Sequence, residues 1–285
     1  MSKIVVVGSL HYDIMLDAPH RPEKGETVMG TACRYKFGGK GGNQALAAAH
    51  AGAETHFIGA VGADEPGRFL LSALQAGGVG IANVQVVDGI ASGMSVAISD
   101  AEGDYGAVVV SGANQHIAPD ALRSEPLWRN AAMLILQNEI AAETNLLAAA
   151  AAKARGIPVC INAAPARPLE PALETCIDLL VVNAVEARDM CGVTVFNLTS
   201  ARVAAETLAQ RFRQVVVTAG EHGVAFCQQG AAALSQPAEK IQLISTHGAG
   251  DCFTGVLCRE LAAQQSLADA VRQANAAAAK HVSGA

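Results

Sequence analysis

Residues 133–161 read MLILQNEIAAETNLLAAAAAKARGIPVCI, and this stretch decides the fold of the chain. The short apolar run 133–136 is typical of a strand that is buried on both faces of a sheet. An alanine-rich helical pattern covers 142–155, and a second strand of the buried type, 158–161, follows it. A strand, a helix and a strand in this order form the unit from which parallel sheets are built.

The same alternation continues in both directions along the chain. Further strands of the buried type are predicted at 4–7, 57–61, 179–182 and 215–218. Further helices are predicted at 43–52, 201–212 and 267–282. Near the C-terminus a strand at 224–228 follows 215–218 after a short Glu-His-Gly segment, which indicates a hairpin. The pattern predicts an α/β fold: a doubly wound, mostly parallel sheet with helices on both faces.

Two segments, 26–36 and 93–110, have a different pattern, because small, polar and apolar positions alternate along them. Residues 101–104, Ala-Glu-Gly-Asp, are typical of a turn within the second segment. We expect a small antiparallel β-sheet that stands off the main domain as a lid. The predicted division is an α/β domain of residues 1–10, 36–92 and 111–285, and a lid of residues 11–35 and 93–110.

The composition excludes several classes of protein. A chain of 285 residues with 51% hydrophobic residues can bury a sizeable core. The net charge of −6 argues against a nucleic-acid surface, and the lack of a long apolar span outside alanine-rich helix argues against a membrane protein. The first apolar run is too short for a signal peptide. The seven cysteines have no C-x-x-C spacing, so we expect buried, reduced thiols and a cytoplasmic protein.

Residues 247–255, His-Gly-Ala-Gly-Asp-Cys-Phe-Thr-Gly, combine a bare loop with the start of a helix. The two glycines leave backbone N–H groups accessible to a ligand, and the apolar spacing from Cys252 onward predicts a helix. Free N–H groups at a helix N-terminus form a binding site for anions. Asp251 lies at this boundary, either as a helix cap or as a general base beside a transferring phosphoryl group.

Polar residues also follow several of the predicted strands. Asp13, Glu139 and Asn183 each lie at or beyond the end of a strand of the buried type. Ligands of open α/β sheets bind outside the carboxyl ends of the strands, where these side chains are expected to converge. Asn183 has a second interpretation, because an Asn followed three residues later by Glu186 is also a capping-box pattern at a helix start.

Together these motifs resemble those of the ribokinase-like (PfkB) carbohydrate kinases over nearly the whole chain. GAGD at 248–251 and GGKGGNQ at 38–44 are similar to the two signatures of that family. Further matches occur in the expected order: Asp13, Gln137-Asn138-Glu139, Asn162-Ala163-Ala164-Pro165-Ala166, Asn183-Ala184-Val185-Glu186 and Thr218-Ala219-Gly220-Glu221-His222-Gly223. Each motif is short, but six in one order are specific.

The resemblance implies an enzyme that transfers the γ-phosphoryl group of ATP to a hydroxyl of a small sugar. Asp251 would be the catalytic base, and the amides of Gly248, Ala249 and Gly250 would form an anion hole for the phosphoryl group. The resemblance assigns the sugar to His11, Asp13, Gly39, Lys40, Gly41, Gly42, Asn43 and Glu139. It assigns the nucleotide to Asn183, Thr218, Gly220, Gly223, Gly250 and Asn275. Lys40 is open to a phosphate-directed role or to simple solvation.

The resemblance also implies metal ions. Mg²⁺ would be held by Glu186 through water, because Mg²⁺ keeps much of its hydration shell. Ser245 is the candidate for a monovalent cation such as K⁺, but it stands where the family has an Asp. A neutral side chain is expected to weaken that site.

The substrate is less closely defined than the reaction. His11 stands where the family has an Asn that contacts the sugar, so ribose is the first candidate but another sugar or a nucleoside stays open. A dinucleotide-dependent enzyme is disfavoured, because no G-x-G-x-x-G follows the strand at 4–7. A catalytically silent sugar-binding relative stays open, although the presence of Asp251 argues against it.

The lid is expected to bind a second copy of the chain. Its predicted apolar face contains Ala107, Val108, Val109 and Val110 together with Met94, Val96 and Ile98. A face of this kind is too apolar to stand in water alone. The resemblance also implies a lid that pairs two subunits, so we expect a homodimer.

Overall fold

A computed structural model of the chain describes residues 2–100, 105–242 and 248–283. Within these residues, nine strands form a large sheet and four form a small sheet. The large sheet contains β1 (Lys3–Val7), β4 (Glu54–Gly62), β5 (Gly80–Val87), β8 (Ala131–Gln137), β9 (Val159–Asn162), β10 (Leu179–Asn183), β11 (Gln214–Thr218), β12 (Gly223–Gln228) and β13 (Leu234–Pro237). The small sheet contains β2 (His11–Asp17), β3 (Ala32–Gly38), β6 (Met94–Ser99) and β7 (Tyr105–Val110).

Helices cover both faces of the large sheet, because successive side chains of a strand point to opposite faces. Val5 and Val7 of β1 belong to one hydrophobic core, and Ile4 and Val6 belong to the other. The helices are α1 (Lys40–His50), α2 (Glu65–Ala76), α3 (Glu125–Trp128), α4 (Ala142–Lys153), α5 (Pro171–Glu174), α6 (Ala184–Cys191), α7 (Leu198–Leu208), α8 (Ala249–Ala262) and α9 (Leu267–Ser283). The core that contains Val5 is covered by α4 and α7, and the core that contains Ile4 is covered by α1, α2, α8 and α9.

The strand order of the large sheet creates a switch point beside β1. The order is β13-β12-β11-β10-β9-β8-β1-β4-β5, so the chain extends the sheet on one side of β1 and then returns to its other side. The pairings from β11 to β5 are parallel, and β12 and β13 are added antiparallel. The crevice outside the carboxyl ends of β1 and β8 is therefore the place where such sheets bind ligands.

The predicted fold class is confirmed, and the predicted strands and helices of the main domain are all present within a few residues of their predicted bounds. The elements of the main domain that were not predicted are β5, β13, α2 and the short helices α3 and α5. Strands β5 and β13 lie at the two edges of the sheet and are only partly buried, so they lack the continuous apolar run of a central strand.

The small sheet differs in detail from its prediction. Its order is β3-β2-β6-β7, with antiparallel outer pairings and a parallel pairing between β2 and β6. Residues 26–31 form no strand and are mostly exposed, so the predicted segment 26–36 is wrong in its first half. The predicted turn at 101–104 lies outside the described residues. The domain boundaries stay a prediction, and β3 continues past residue 35 to Gly38.

The apolar face of the small sheet contains five of the seven predicted residues, and Ala107 and Val109 are the two that lie elsewhere. Ala107 and Val109 point to the opposite face from Val108 and Val110, because side chains alternate along a strand. The register places on the face of Val108 and Val110 the side chains of Tyr12, Ile14, Tyr35, Met94, Val96 and Ile98. Tyr35 is 59% exposed and Val108 is 67% exposed, so this face has an uncovered apolar part.

Helices α1 and α8 approach closely at Gly255. A β-carbon at this position would lie 2.6 Å from the β-carbon of Ala47 and 2.6 Å from the carbonyl oxygen of Gln44. Real atoms do not approach this closely, so a larger residue would force the two helices apart.

We therefore expect Gly255→Ala to lower the free energy of unfolding by about 1–3 kcal/mol, measured by urea denaturation. Gly250→Ala is the matched control, because a β-carbon added at Gly250, in the same helix, would meet no other element of the described chain within 4 Å. The control is expected to change the free energy of unfolding by about 0.5 kcal/mol or less. Equal stability of the Gly255→Ala variant and the wild type would contradict the close packing.

Candidate active site

Asp251 lies in the first turn of α8, which begins three residues earlier than predicted, at Ala249. The N-cap residue is Gly248, and no side chain caps this end of the helix. The carboxylate of Asp251 instead accepts hydrogen bonds from two side chains of α1. Gln44 Nε2 donates to Oδ1 at 2.9 Å, and Asn43 Nδ2 donates to Oδ2 at 3.2 Å. The interpretation of Asp251 as a helix cap is therefore wrong.

The environment of Asp251 is that of a buried carboxylate with polar partners. The residue is only 7% exposed, and this burial raises the pKa of its carboxyl group. The charge of Lys40 and the hydrogen bonds from Gln44 and Asn43 act in the opposite direction on the pKa. A carboxylate with a raised pKa is a stronger proton acceptor than an exposed one.

A cavity of about 450 Å³ opens beside Asp251 at the carboxyl ends of β10 and β11. Its volume is in the range of sites for small organic ligands. The predicted site residues that line it are Lys40, Asn183, Glu186, Thr218, Gly220, Gly223, Gly248, Ala249, Gly250, Asp251 and Asn275. The other lining residues are mostly small or apolar: Asn162, Ala164, Val181, Ala184, Val185, Val224, Phe253 and Ala278.

The N-terminus of α8 faces this cavity. The first hydrogen bond of the helix runs from Cys252 N to Gly248 O at 2.9 Å, so the amides of Ala249, Gly250 and Asp251 have no acceptor within the helix. Lys40, which also lines the cavity, adds a positive charge. Such an end of a helix binds anions, because its N–H groups and its dipole both favour negative charge.

A second group of polar residues occupies the switch point between β1 and β8, and we call it the switch-point cluster: Ser9, His11, Glu139 and the amide of Lys40. Ser9 Oγ donates to Glu139 Oε2 at 2.5 Å, and Lys40 N donates to the same oxygen at 2.9 Å. His11 Nδ1 lies 3.9 Å from it. His11 is 4% exposed, and its Nε2 has no hydrogen-bond partner among the described residues.

Asp13 lies in the small sheet, as the third residue of β2, within the segment 11–35 that was predicted to belong to the lid. Its Oδ1 accepts a hydrogen bond from Ser95 Oγ at 2.6 Å, across the parallel pairing of β2 and β6. Asp13 and Asn43 thus belong to different elements. The contact of Asn43 with Asp251 joins the 38–44 stretch to the cavity.

The glycines of the 38–44 stretch are used for packing within the protein. Helix α1 begins at Lys40, after an N-cap at Gly39, so Gly41 and Gly42 lie in its first turn. A β-carbon on Gly41 would lie 2.6 Å from Ser9 N, and one on Gly42 would lie 2.5 Å from the ring of Phe37. These glycines allow α1 to start directly against the end of β1.

Asn183 and Glu186 form the capping box of α6, so this interpretation is confirmed. Glu186 Oε2 accepts from Asn183 N at 2.7 Å, and Oε1 accepts from Asn183 Nδ2 at 2.9 Å. Burial raises the pKa of Glu186, while the bond from Asn183 N and the charge of Lys40 lower it. Each carboxylate oxygen keeps a second lone pair for another partner.

The described residues contain no cluster of three or more His, Cys, Asp and Glu side chains that would enclose a metal ion. Glu186 is a single carboxylate at the wall of the cavity. Ser245, the candidate for a monovalent cation, lies outside the described residues. Asn275 Nδ2 donates to Pro237 O at 2.9 Å and fixes α9 to the end of β13.

Several polar residues that hold the site together had no predicted role. Gln44, Gln137 and Asn162 form a buried network behind Asp251. Ser9 donates a hydrogen bond to the carboxylate of Glu139, and Ser95 donates one to the carboxylate of Asp13. The side chain of Asn114 bonds both the N–H and the C=O of Leu10. A signal existed for Gln44, because a glutamine on the buried face of an alanine-rich helix needs a polar partner.

The open parallel sheet, the anion-binding helix end and the buried carboxylate beside a ligand-sized cavity define the chain as an α/β phosphotransferase. Residues 1–284 match the model of the family described as pfkB family carbohydrate kinase, and the chain belongs to this family. The predicted family is therefore confirmed, and the enzyme is a sugar kinase.

Named relatives of similar length match almost the whole chain. The chain is 35% identical over 283 residues to the ribokinase of Bacillus subtilis, and the match covers 99% of this chain and 93% of that protein. It is 32% identical over 278 residues to the ribokinase of Haemophilus influenzae, with 97% and 90% covered. The structure of Arabidopsis thaliana ribokinase complexed with ribose and ATP has a TM-score of 0.92 at 30% identity and covers 99% of this chain and 92% of that one. Within the described ranges, no helix is long and apolar enough to span a membrane.

Proposed function

We propose that this enzyme transfers the γ-phosphoryl group of ATP to a hydroxyl of a small sugar, with ribose as the first candidate. The position of Asp251 carries the proposal, because this carboxylate lines the cavity and also contacts Asn43 of the 38–44 stretch. A group at this junction can reach both a nucleotide in the cavity and a sugar near the switch point. The similarity to enzymes named ribokinase, one of them solved with ribose and ATP, supports the same substrates here.

The chemical step uses Asp251 as a general base. Its carboxylate takes the proton of the sugar hydroxyl, and the sugar oxygen forms a bond to the γ-phosphorus while the bond to the bridging oxygen of ADP breaks. The amides of Gly248, Ala249 and Gly250 stabilise negative charge on the transferred group. Burial of Asp251 excludes water from the base and so limits hydrolysis of ATP.

The cavity residues fit the nucleotide side of this reaction. Lys40 lines the cavity between Asp251 and Glu186, which favours the phosphate-directed role over simple solvation. Asn183, Thr218, Gly220, Gly223 and Asn275 form the wall for the remainder of the nucleotide. Glu186 would hold a hydrated Mg²⁺, which neutralises charge on the phosphates when it is bound.

We further propose that the enzyme works in the cytoplasm. Cys160 and Cys258 are fully buried, and burial raises the pKa of the Cys258 thiol, which keeps that thiol protonated and unreactive. All seven cysteines are free thiols, which suits a reducing compartment.

The proposed base is tested with Asp251→Asn. We expect turnover to fall by about 10²–10⁴-fold, because the variant keeps the shape of the side chain but loses the proton acceptor. The measurement is ADP formation from MgATP in the presence of a panel of pentoses, hexoses and nucleosides. Asp120→Asn, an exposed carboxylate paired with Arg123, is the matched control and should keep the wild-type rate within about twofold.

Two results would count against the proposal. Turnover of Asp251→Asn within a few-fold of the wild type would exclude Asp251 as the base. Sugar binding by the wild type without ADP formation from any member of the panel would favour the catalytically silent relative instead.

His11 is the residue that we propose to select the sugar. Its imidazole is buried beside Glu139, and Nε2 lacks a partner among the described residues, so a substrate hydroxyl is a suitable partner. A buried polar atom that is left unpaired is costly, so a site that contains one discriminates against substrates that cannot pair with it.

We expect His11→Asn to change the order of kcat/KM among the sugars of the panel and to shift it toward ribose. The amide is smaller than the imidazole, and its donor and acceptor lie on adjacent atoms at the end of the side chain rather than on two sides of a ring. His56→Asn is the matched control, because His56 also lies beside a glutamate, Glu54, but at the opposite end of the sheet from the site. An order of preference in His11→Asn equal to that of the wild type would remove His11 from the selection of the sugar.

We also propose that the enzyme is a homodimer through the small sheet. Tyr35, Val96 and Val108 lie in one row of its apolar face, and Tyr12 at the edge of this face is covered by Phe69 of α2. The outer part of the face, with Tyr35 and Val108, is exposed in a single chain. An apolar surface of this kind is typical of contacts between subunits.

Val108→Asp is expected to give a monomer, because it places a charge in the contact, and light scattering at micromolar concentration measures the mass. Val109→Asp is the matched control: it is the next residue, is similarly exposed and points to the opposite face. It should leave the dimer intact. A monomeric wild type, or equal effects of the two variants, would contradict a dimer through this face.

A further inference from the structure

A chain of buried amides connects the centre of the large sheet to Asp251. Gln137 at the end of β8 donates from Nε2 to Gln44 Oε1 at 2.9 Å. Gln44 Nε2 then donates to Asp251 Oδ1 at 2.9 Å and to Asn162 Oδ1, at the end of β9, at 3.1 Å. Gln44 and Gln137 are fully buried, and Asn162 is 8% exposed.

The hydrogen bonds fix the orientation of each amide. Asn162 Nδ2 donates to Val181 O at 3.2 Å, so Oδ1 of Asn162 must face Gln44. Both hydrogens of Gln44 Nε2 are then used, one by Asn162 and one by Asp251. A flipped Gln44 would bring its oxygen against the carboxylate and against Asn162 Oδ1, which the network does not allow.

We propose that Gln44 is a positioning residue for Asp251: its amide holds one oxygen of the carboxylate and leaves the other side of the carboxylate toward the substrate. This inference rests on the proposed role of Asp251 as the base. Asn43 holds the second oxygen but over a longer distance, 3.2 Å. Gln44 is therefore the stronger restraint on the direction in which Asp251 accepts a proton.

The bond from Gln44 also acts on the charge of Asp251. A donor to an ionised carboxylate stabilises the charged form, so its loss should raise the pKa of Asp251 further. Other charged or titratable groups around Asp251 are Lys40 on α1, Glu139 after β8, Cys252 on α8, Glu186 across the cavity and His281 of α9 beside Gly248. A substitution of Gln44 leaves all of these in place.

The test is Gln44→Met, which keeps the length of the side chain and removes its donors. We expect kcat to fall by about 10- to 100-fold with KM for ATP changed by about twofold or less. The acid limb of the pH–kcat profile should move upward by about one pH unit, because more hydroxide is needed to ionise the base. Gln85→Met, which loses a bond to Ala118 N at the far edge of the sheet, is the matched control and should match the wild type.

A double-mutant cycle with Asp251→Asn separates positioning from damage to the fold. If Gln44 acts through Asp251, then Gln44→Met causes no further loss of turnover in the Asp251→Asn background. Losses that multiply in the double variant would overturn the inference, since they show that Gln44 acts elsewhere. An acid limb that stays in place in Gln44→Met would overturn it as well.

A titration of the Asp251 carboxyl carbon by ¹³C NMR gives a readout that does not need turnover. Its midpoint should be higher in Gln44→Met than in the wild type, and an equal midpoint would overturn the inference even in an inactive protein. If the wild type has no kinase activity but the midpoint is higher in Gln44→Met as expected, only the proposed function is rejected.

If Gln44→Met does not fold, the same titration is made with Gln137→Met. The midpoint should then rise by a smaller amount, because this variant removes only the bond to Gln44 Oε1.

Discussion

The contact of the Asp251 carboxylate with the amides of Asn43 and Gln44 is the interaction on which the rest of the site depends. A carboxylate removed from water is costly unless hydrogen bonds compensate it, and here both oxygens are bonded. The contact joins residues 208 positions apart in the chain and holds the N-terminus of α8 beside that of α1.

The switch-point cluster gives the small sheet a polar attachment to the main domain. Only three residues separate β1 from β2, and Ser9 and Leu10 in this short connection are both fixed by side chains. Ser9 bonds Glu139, and Asn114 bonds Leu10 through its N–H and its C=O. The strand that contains His11 and Asp13 therefore starts from a defined position, although the small sheet itself projects from the core.

Much of the fold was predictable from the sequence because the central strands are buried on both faces and are followed by regular helices. The edge strands β5 and β13 were not, since a half-exposed strand lacks that pattern. Helix α2 was missed as well, although Asp64 caps it through Gly67 N and Pro66 lies in its first turn, which are signals that the sequence contains.

From the residues alone, the candidate site was predictable where a residue has a fixed place relative to a strand or helix end. Asp251, Glu139 and Asn183 were found in this way, and their catalytic and binding roles stay predictions. Asn275, in the middle of α9, was assigned only through the resemblance. Ser9 and Gln44 were not assigned, because their importance depends on partners more than 100 residues away. Asp13 was assigned to the lid segment, but β2 itself was not recognised as a strand, because polar residues interrupt its apolar pattern.

The pairing of α1 with α8 has a consequence for the order in which the protein is made. Helix α1 is synthesised early, but α8, which packs against it, is near the end of the chain. Strand β1 likewise has no partner on one edge until β8 has been synthesised. Until α8 has been made, Gln44 and the alanines beside it lack this cover, and exposed apolar surface of this kind favours aggregation of unfinished chains. A protein truncated before α8 would lose Asp251 and this cover together.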